Sequence, residues 1–161
     1  MPRLSVARWR AKCHRAGFVY FIGPEAALYR REDGVCVKIG YTAGCPLKRM
    51  HALQAGSPQP LEMLAYFDGT PGMEKAFHEA FATERSHREW FYLHSRLWAF
   101  LMHFSEAPPH DRYVSEGRLC DALTDNLAKH QPVPHPAMCE ETWARSVDPA
   151  PLLPFFPELA E

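Results

Sequence analysis

Three short runs of β-branched and aromatic residues, each bounded by turn-forming residues, most constrain what this chain can fold into. They occupy residues 18–22, 35–41 and 61–67, and glycine or proline closes each run. Such runs are typical of strands. The first two are close enough along the chain to form an antiparallel hairpin with a long loop. The sequence therefore predicts a small three-stranded antiparallel sheet.

Helical patterns fill the remaining part of the first hundred residues. Pro46 is suited to the first position of a helix that Gly56 would end. The clearest period-3.6 stripe follows the third strand: Met73, Ala76, Phe77, Ala80 and Phe81. A further helix is expected from about residue 93, and a short one within 115–130. The predicted class is α+β, in the order ββαβαα.

Charge and proline divide the chain into unlike parts. Residues 1–103 hold 14 lysines and arginines and 9 acids, whereas residues 104–161 hold 4 and 10. Nine of the 15 prolines lie in that second part. We expect a basic segment over 1–16, a folded domain over 17–104 and an acidic, proline-rich extension over 105–161. That extension is expected to pack outside the domain core and to cover its basic face, or to bind a protein partner.

The composition excludes several protein classes. With 47% hydrophobic and 23% charged residues, the chain is not a wholly disordered protein. It contains no apolar run long enough for a membrane span and no signal-peptide pattern. Its five cysteines form no Cys-x-x-Cys pair, which favours reduced thiols and a cytoplasmic location.

Six short motifs, in order along residues 17–104, resemble the GIY-YIG nuclease superfamily. The resemblance is to the branch found in phage and bacterial proteins and in a meiotically up-regulated yeast protein. The matching residues are Val19-Tyr20-Phe21-Ile22, Val37-Lys38-Ile39-Gly40-Tyr41-Thr42, Arg49, Leu53-Gln54-x-Gly56-Ser57-Pro58, Glu74-Lys75-x-x-His78-x-x-Phe81 and Glu89-Trp90-Phe91. Two positions depart from the superfamily pattern: Phe18-Val19 replaces glycine-isoleucine, and Lys38 replaces the tyrosine of the second motif.

The resemblance implies a candidate catalytic set with distinct roles. Glu74 matches the glutamate that binds a single Mg²⁺ or Mn²⁺ ion, and Arg49 matches the catalytic arginine, whose planar fork suits a phosphate. Tyr20 matches the tyrosine of the first motif, which could polarise the attacking water or bind phosphate. The set is completed by three further residues: Lys38, Tyr41 and His78.

These residues imply a metal-dependent DNA endonuclease or nickase, with RNA as another possible substrate. The phosphate backbone would be bound by basic residues: Arg8, Arg10, Lys12, Lys48 and Arg49. The catalytic residues are expected to converge on one open concave face of the sheet. Removal of the acidic extension after about residue 104 is expected to raise the affinity for DNA.

Several alternatives remain open from the sequence. The chain could be a non-catalytic nucleic-acid-binding module, or a scaffold protein that acts through its extension. Glu74 could be a first-turn glutamate that interacts with the helix dipole, Tyr20 a core aromatic and His78 a buried histidine. A zinc site is another hypothesis, although the available residues lack a finger or ribbon spacing: Cys13, His14, Cys120, His135 and Cys139.

Overall fold

A computed structural model describes residues 17–29, 34–93, 95–108, 111–128 and 149–160. Within them lies one antiparallel sheet of five strands, in the spatial order β3-β1-β2-β5-β4. The strands are β1 (Phe18–Pro24), β2 (Cys36–Thr42), β3 (Leu61–Asp68), β4 (Arg85–His87) and β5 (Trp90–Tyr92). The predicted hairpin is present, because β1 and β2 are paired antiparallel from Phe18 opposite Thr42 to Ile22 opposite Lys38.

The described residues also contain four α-helices, and local sequence explains where two of them begin. The helices are α1 (Pro46–Gln54), α2 (Pro71–Ala80), α3 (Ser95–Met102) and α4 (Glu116–Leu123). The hydroxyl of Thr70 accepts a hydrogen bond from the Met73 amide at 3.1 Å and so caps α2. Proline at the first position of α1 and α2 presents no amide hydrogen where a helix has no partner for one.

The predicted α+β class is confirmed. The sheet has five strands and not the predicted three, and the order ββαβαα is not confirmed, because β4 and β5 extend the sheet between α2 and α3. These strands have three residues each and are joined by a tight turn at Arg88 and Glu89. Arg88 adopts a positive φ of 52°, which no sequence preference for arginine would suggest. Three residues are too few for a period-two pattern to stand out from a loop.

The two faces of the sheet are packed against different helices. On one face, Phe21 lies against Phe77 of α2, with ring centres 5.6 Å apart. On the other face, Tyr20, Ile22 and Met63 form a smaller cluster that is packed against α1. Neighbouring residues of β1 enter opposite clusters because side chains alternate along a strand. Helices α1 and α2 therefore lie on opposite sides of the sheet.

The described parts of the acidic extension belong to the main core, so the expectation that it packs outside the core was wrong. Leu119 and Leu123 of α4 are buried in the same cluster as Phe77. Leu152 and Phe156 are buried there too, and the Phe156 ring lies 6.3 Å from that of Phe77. Leucine and phenylalanine spaced among prolines thus supply core side chains, although the segment is acidic overall.

Candidate active site at an edge of the sheet

The outer edge of β2 is only partly covered by a strand. In the described part of the chain, β5 pairs with β2 from Cys36 to Lys38 and then turns away. The next residue, Ile39, donates its amide to the carbonyl of Glu89 at 3.0 Å. Its own carbonyl accepts a hydrogen bond from Nε2 of His78 at 2.8 Å. A side chain of α2 therefore closes the edge where β5 ends.

Glu74 and His78 lie one turn apart on α2 and face this edge. Oε1 of Glu74 is 3.7 Å from Nε2 of His78, and 18% of the Glu74 side chain is exposed. Burial raises the pKa of Glu74, and the charge of Glu89 raises it further, although His78 and Lys38 act in the opposite direction. Burial therefore outweighs the neighbouring positive charges at this carboxylate.

Lys38 and Glu89 form an ion pair beside these two residues. Only 10% of the Lys38 side chain is exposed, compared with 46% of the Glu89 side chain. Burial acts to raise the pKa of Glu89, but the hydrogen bond and charge of Lys38 outweigh it and the pKa is lowered. The two carboxylates of the edge therefore have pKa values displaced in opposite directions from their ordinary value.

Tyr20 and Arg49 complete the group from the α1 side of the sheet. Tyr20 is 1% exposed, and its ring lies across Gly40, where an added Cβ would be only 2.4 Å from the Tyr20 hydroxyl. A glycine at position 40 is therefore required for this ring position. A hydrogen bond with Tyr20 raises the pKa of Arg49, and the charge of Glu89 also raises it. Arg49 itself is exposed on α1.

Glu89 connects the two sides electrostatically, since it acts on Glu74 of α2 and on Arg49 of α1. The arrangement places a phenol, a guanidinium, an ammonium and two carboxylates around one strand edge. An anion could be bound by Arg49, while Glu74 has the oxygen ligands that hard divalent cations prefer. We call these residues the edge site: Tyr20, Lys38, Arg49, Glu74, His78 and Glu89.

The comparison with known families bears directly on this part of the chain. The sequence profile of the T5orf172 domain matches residues 17–101, just over half of the protein. The chain belongs to the T5orf172 domain family. This domain is associated with nucleases in phage and bacterial proteins and suggests interaction with nucleic acid. No curated protein and no solved structure is significantly similar to the chain.

The T5orf172 match includes every strand of the described sheet and every residue of the edge site. It ends before α4 and before the buried residues Leu152 and Phe156. Part of the core that supports the domain is therefore supplied by residues beyond it.

The candidate residues surround an edge of the sheet, and the expected single concave face is not observed. Arg49 belongs to a helix on one face, and Glu74 belongs to a helix on the other. Both are linked to β2, because Glu74 lies beside His78, which is bound to Ile39, and Arg49 is hydrogen-bonded to Tyr20, which lies opposite Gly40. Tyr41 is opposite Val19 in the hairpin, on the face away from Tyr20. Lys48 is exposed next to Arg49 on α1.

Other predicted residues lie outside the described part of the chain, namely Arg8, Arg10, Lys12, and the zinc candidates Cys13, His14, His135 and Cys139. Among the described residues, no group of three or more histidine, cysteine, aspartate and glutamate side chains could hold a metal ion. Within the described part of the chain, Cys36, Cys45 and Cys120 form no disulfide with one another. None of the described helices has the length and apolar character needed to cross a membrane.

Glu89 is the member of the edge site that sequence reasoning missed. It lies in the turn between β4 and β5. Its place in the motif Glu89-Trp90-Phe91 was visible, but the turn that brings it to Lys38 depends on two strands that were not predicted. The long-range Lys38–Glu89 pair has no local sequence signal.

Proposed function

We propose that the protein is a metal-dependent DNA endonuclease or nickase that hydrolyses phosphodiester bonds at the edge site. One observation supports this function above the others. Glu74 has a raised pKa and lies in the same electrostatically connected group as Arg49 and Tyr20. The resemblance to GIY-YIG nucleases assigns metal binding, phosphate binding and water activation to these three residues. Membership of a nuclease-associated family agrees with that assignment.

The donor set fits an ion that retains most of its water. A site built wholly from protein ligands does not fit the described residues, since they offer no cluster of three donors. A single half-buried carboxylate, Glu74, fits hydrated Mg²⁺ or Mn²⁺, which is commonly bound through one or two carboxylates and the substrate phosphate. When bound, the ion would stabilise negative charge that develops on the phosphate.

The remaining residues of the edge site have separate tasks in this proposal. Arg49 donates to the phosphate from the exposed side of α1, where its guanidinium also contacts Tyr20. The resemblance assigns Tyr20 to the attacking water or to the phosphate, and its buried hydroxyl is hydrogen-bonded to Arg49. Lys38 contributes positive charge and holds Glu89 in place. Tyr20 and Lys38 are buried and are therefore held in place before the substrate binds, which is the condition for electrostatic stabilisation of a transition state.

Only one ring nitrogen of His78 can accept a proton in this arrangement. Its Nε2 donates to the carbonyl of Ile39, because a carbonyl oxygen can only accept. Nδ1 is therefore the nitrogen that can receive a proton. We assign His78 mainly to positioning, since it fastens α2, and with it Glu74, to the edge of β2. His78→Asn is expected to lower kcat, and partial recovery by His78→Gln would support positioning.

The test is nicking of supercoiled plasmid DNA in Mg²⁺ or Mn²⁺, with and without EDTA. Wild-type protein is expected to relax the plasmid only in the presence of the metal. Glu74→Ala is expected to lose at least about a hundredfold in rate, as is common when a transition-state interaction is removed. Glu79→Ala is the matched control, because Glu79 is an exposed glutamate of the same helix that pairs with Lys75. Nicking by Glu74→Ala at the wild-type rate would overturn the proposal.

A non-catalytic DNA-binding module is the second candidate, and one observation favours it. Lys38 occupies the position where the resemblance implies a tyrosine, and it is bound to Glu89. Under this alternative, wild-type protein binds DNA but does not nick it in either metal. Arg49→Ala would then weaken binding and reduce its salt dependence by about one unit per lost phosphate contact. Because Glu74 is negative, Glu74→Ala would bind DNA as tightly as the wild type or slightly more tightly.

A further inference from the structure

A row of tyrosines crosses the sheet from the edge site to the opposite edge. In β1, Tyr20 lies opposite Gly40 of β2 on one side and opposite Tyr66 of β3 on the other. Tyr66 in turn forms a parallel bridge with Tyr113. Cross-strand partners have side chains on the same face of a sheet. The row therefore runs along the α1 side of the sheet, away from Arg49 and toward Tyr113.

Three aromatic residues outside the edge site are in contact with one another and form a continuous surface on the same face of the sheet. The Phe18 and Tyr66 rings meet edge to face with centres 5.9 Å apart. The Tyr66 and Tyr113 rings are 5.6 Å apart. All three residues remain partly exposed, unlike Tyr20. We call Phe18, Tyr66 and Tyr113 the aromatic row.

The aromatic row is held rigidly at both its backbone and its side chains. The Tyr66 amide donates to the carbonyl of Arg112 at 3.0 Å, and the Val114 amide donates to the carbonyl of Tyr66 at 2.8 Å. The hydroxyl of Tyr113 donates to the carboxylate of Asp68. A rigid aromatic surface loses little conformational entropy when it binds a flat ring.

The charge around the aromatic row differs from that at α1. Burial raises the pKa of Tyr66, and the negative charges of Asp111 and Asp68 raise it further, so its phenol is neutral. These acids disfavour phosphate at this end of the sheet. The basic side chains suited to phosphate lie instead on α1, where Lys48 and Arg49 are exposed. A DNA strand that crossed this surface would place its backbone beside α1 and its bases toward the aromatic row.

We propose that the aromatic row stacks unpaired bases of the DNA strand that is cut. The preferred substrate class is then duplex DNA with unpaired nucleotides next to the scissile phosphate, such as a gap or a flap. Paired bases cannot present their faces to a protein surface, whereas unpaired bases can stack on aromatic side chains. This inference rests on the proposed function for the location of the cut. Tyr113 lies beyond the T5orf172 match, so it extends the surface past the family domain.

Binding is tested on the full chain in EDTA, with a gapped duplex that carries 2-aminopurine in the gap and a fully paired duplex of equal length. Tyr66→Leu keeps an apolar side chain but has no aromatic face. It is expected to lose about tenfold in affinity for the gapped DNA, the usual scale for one base stacked on an aromatic ring. Its affinity for paired DNA and its salt slope are expected to be unchanged, because the number of phosphate contacts is the same.

Two further measurements and one control variant accompany the affinities. The quenching of 2-aminopurine by wild-type protein should be lost in Tyr66→Leu and retained in Tyr66→Phe, which a purely structural role of Tyr66 would not produce. Tyr29→Leu is the control, because Tyr29 is an exposed tyrosine beyond the opposite end of β1, with 64% of its surface in solvent. Thermal unfolding of each variant shows whether the fold is retained.

The outcomes separate the two proposals. Equal affinity of Tyr66→Leu and wild type for gapped DNA, or an equal loss on gapped and paired DNA, would overturn stacking on the aromatic row. Tighter binding of a gap made of RNA than of DNA would overturn the DNA assignment. Cleavage that depends on Glu74 would still support the nuclease function in these cases. Conversely, binding to gaps that depends on Tyr66 without any cleavage would leave the aromatic row in place and overturn hydrolysis.

Discussion

The outer edges of β3 and β2 are closed in different ways. At β3, backbone hydrogen bonds with residues 112–114 continue the sheet as a short strand would. At β2, beyond the end of β5, the side chain of His78 donates a hydrogen bond to the carbonyl of Ile39. The first closure removes an edge that could pair with another chain. The second places the charged side chains of the edge site beside the strand.

Each edge also contains an ion pair, and the two pairs differ in their contact with water. The Arg112–Glu62 pair has a separation of 3.1 Å, and its side chains are only 5% and 15% exposed. In the Lys38–Glu89 pair, almost half of the glutamate side chain is exposed. Buried charges cannot be solvated after their partner is removed, whereas exposed charges can. We therefore expect loss of the Arg112–Glu62 pair to lower the free energy of unfolding. Loss of the Lys38–Glu89 pair is expected to affect mainly the reaction at the edge site.

The largest effect is expected from truncation of the chain after residue 104. Such a chain would lose the segment that closes β3 and the buried residues of α4 and of residues 149–160. We expect it to lack a cooperative unfolding transition, measured by circular dichroism on heating. This replaces the sequence-based expectation that truncation raises the affinity for DNA. A truncated chain that folds and binds DNA more tightly would instead support autoinhibition by the acidic extension.

Substitutions at two adjacent phenylalanines distinguish the loss of core packing from other effects of truncation. Phe156 is 3% exposed and Phe155 is 36% exposed. Phe156→Ala is expected to lower the free energy of unfolding by about 3 kcal/mol, because a buried ring is lost and a cavity remains. Phe155→Ala is expected to cost less than about 1 kcal/mol. Equal costs in urea unfolding would show that the segment contributes no specific packing.

The next largest effect on stability is expected from substitutions in the two ion pairs. Arg112→Met would leave Glu62 buried without its partner and is expected to cost about 3 kcal/mol of unfolding free energy. Lys38→Met would leave Glu89 in contact with water and is expected to cost less than about 1 kcal/mol. Lys75→Met is the control, since Lys75 and Glu79 are both exposed. If Lys38→Met were as costly as Arg112→Met in urea unfolding, the distinction between the two edges would be wrong.

Local patterns in the sequence predicted the central part of the fold. The runs at 18–22, 35–41 and 61–67 became β1, β2 and β3, and the helical stripes became α1 to α4 within a few residues. The two short strands were missed because a strand of three residues has no measurable period. The role of residues 105–161 was misjudged because net charge and proline content describe a segment's surface. They do not show which of its apolar residues are buried.

The candidate site could be predicted as a set of residues but not as an arrangement. Motif resemblance selected Tyr20, Arg49 and Glu74, which the structure brings to the same strand edge. Tyr41 was placed with them by its motif, and strand alternation directs it away from Tyr20, to the face that α2 covers. Glu89 was missed, since its contact with Lys38 spans 51 residues and depends on the turn after β4. Contacts of that length follow from topology, which single motifs do not encode.

The smallest effect expected is an opposite pH response of the two carboxylates at the edge site. Burial raises the pKa of Glu74 above its ordinary value of 4.5. Lys38 lowers the pKa of Glu89 below that value despite partial burial. We expect carboxyl NMR titration of the metal-free protein to show Glu74 protonating at higher pH than Glu89. Glu89→Gln is expected to lower the pKa of Glu74, because it removes a negative neighbour and frees the charge of Lys38.

These shifts also predict stability changes of opposite sign. Since folding raises the pKa of Glu74, its contribution to stability is present at acid pH and is lost as the pH rises through the folded-state pKa. The contribution of Glu89 is present at neutral pH and is lost as the pH falls through its lowered pKa. In urea unfolding at neutral pH, Glu74→Gln should therefore be slightly more stable than wild type and Glu89→Gln slightly less stable. A carboxylate that costs stability yet is required for nicking would be retained for chemistry, whereas a destabilising Glu74→Gln would identify Glu74 as a structural residue of α2.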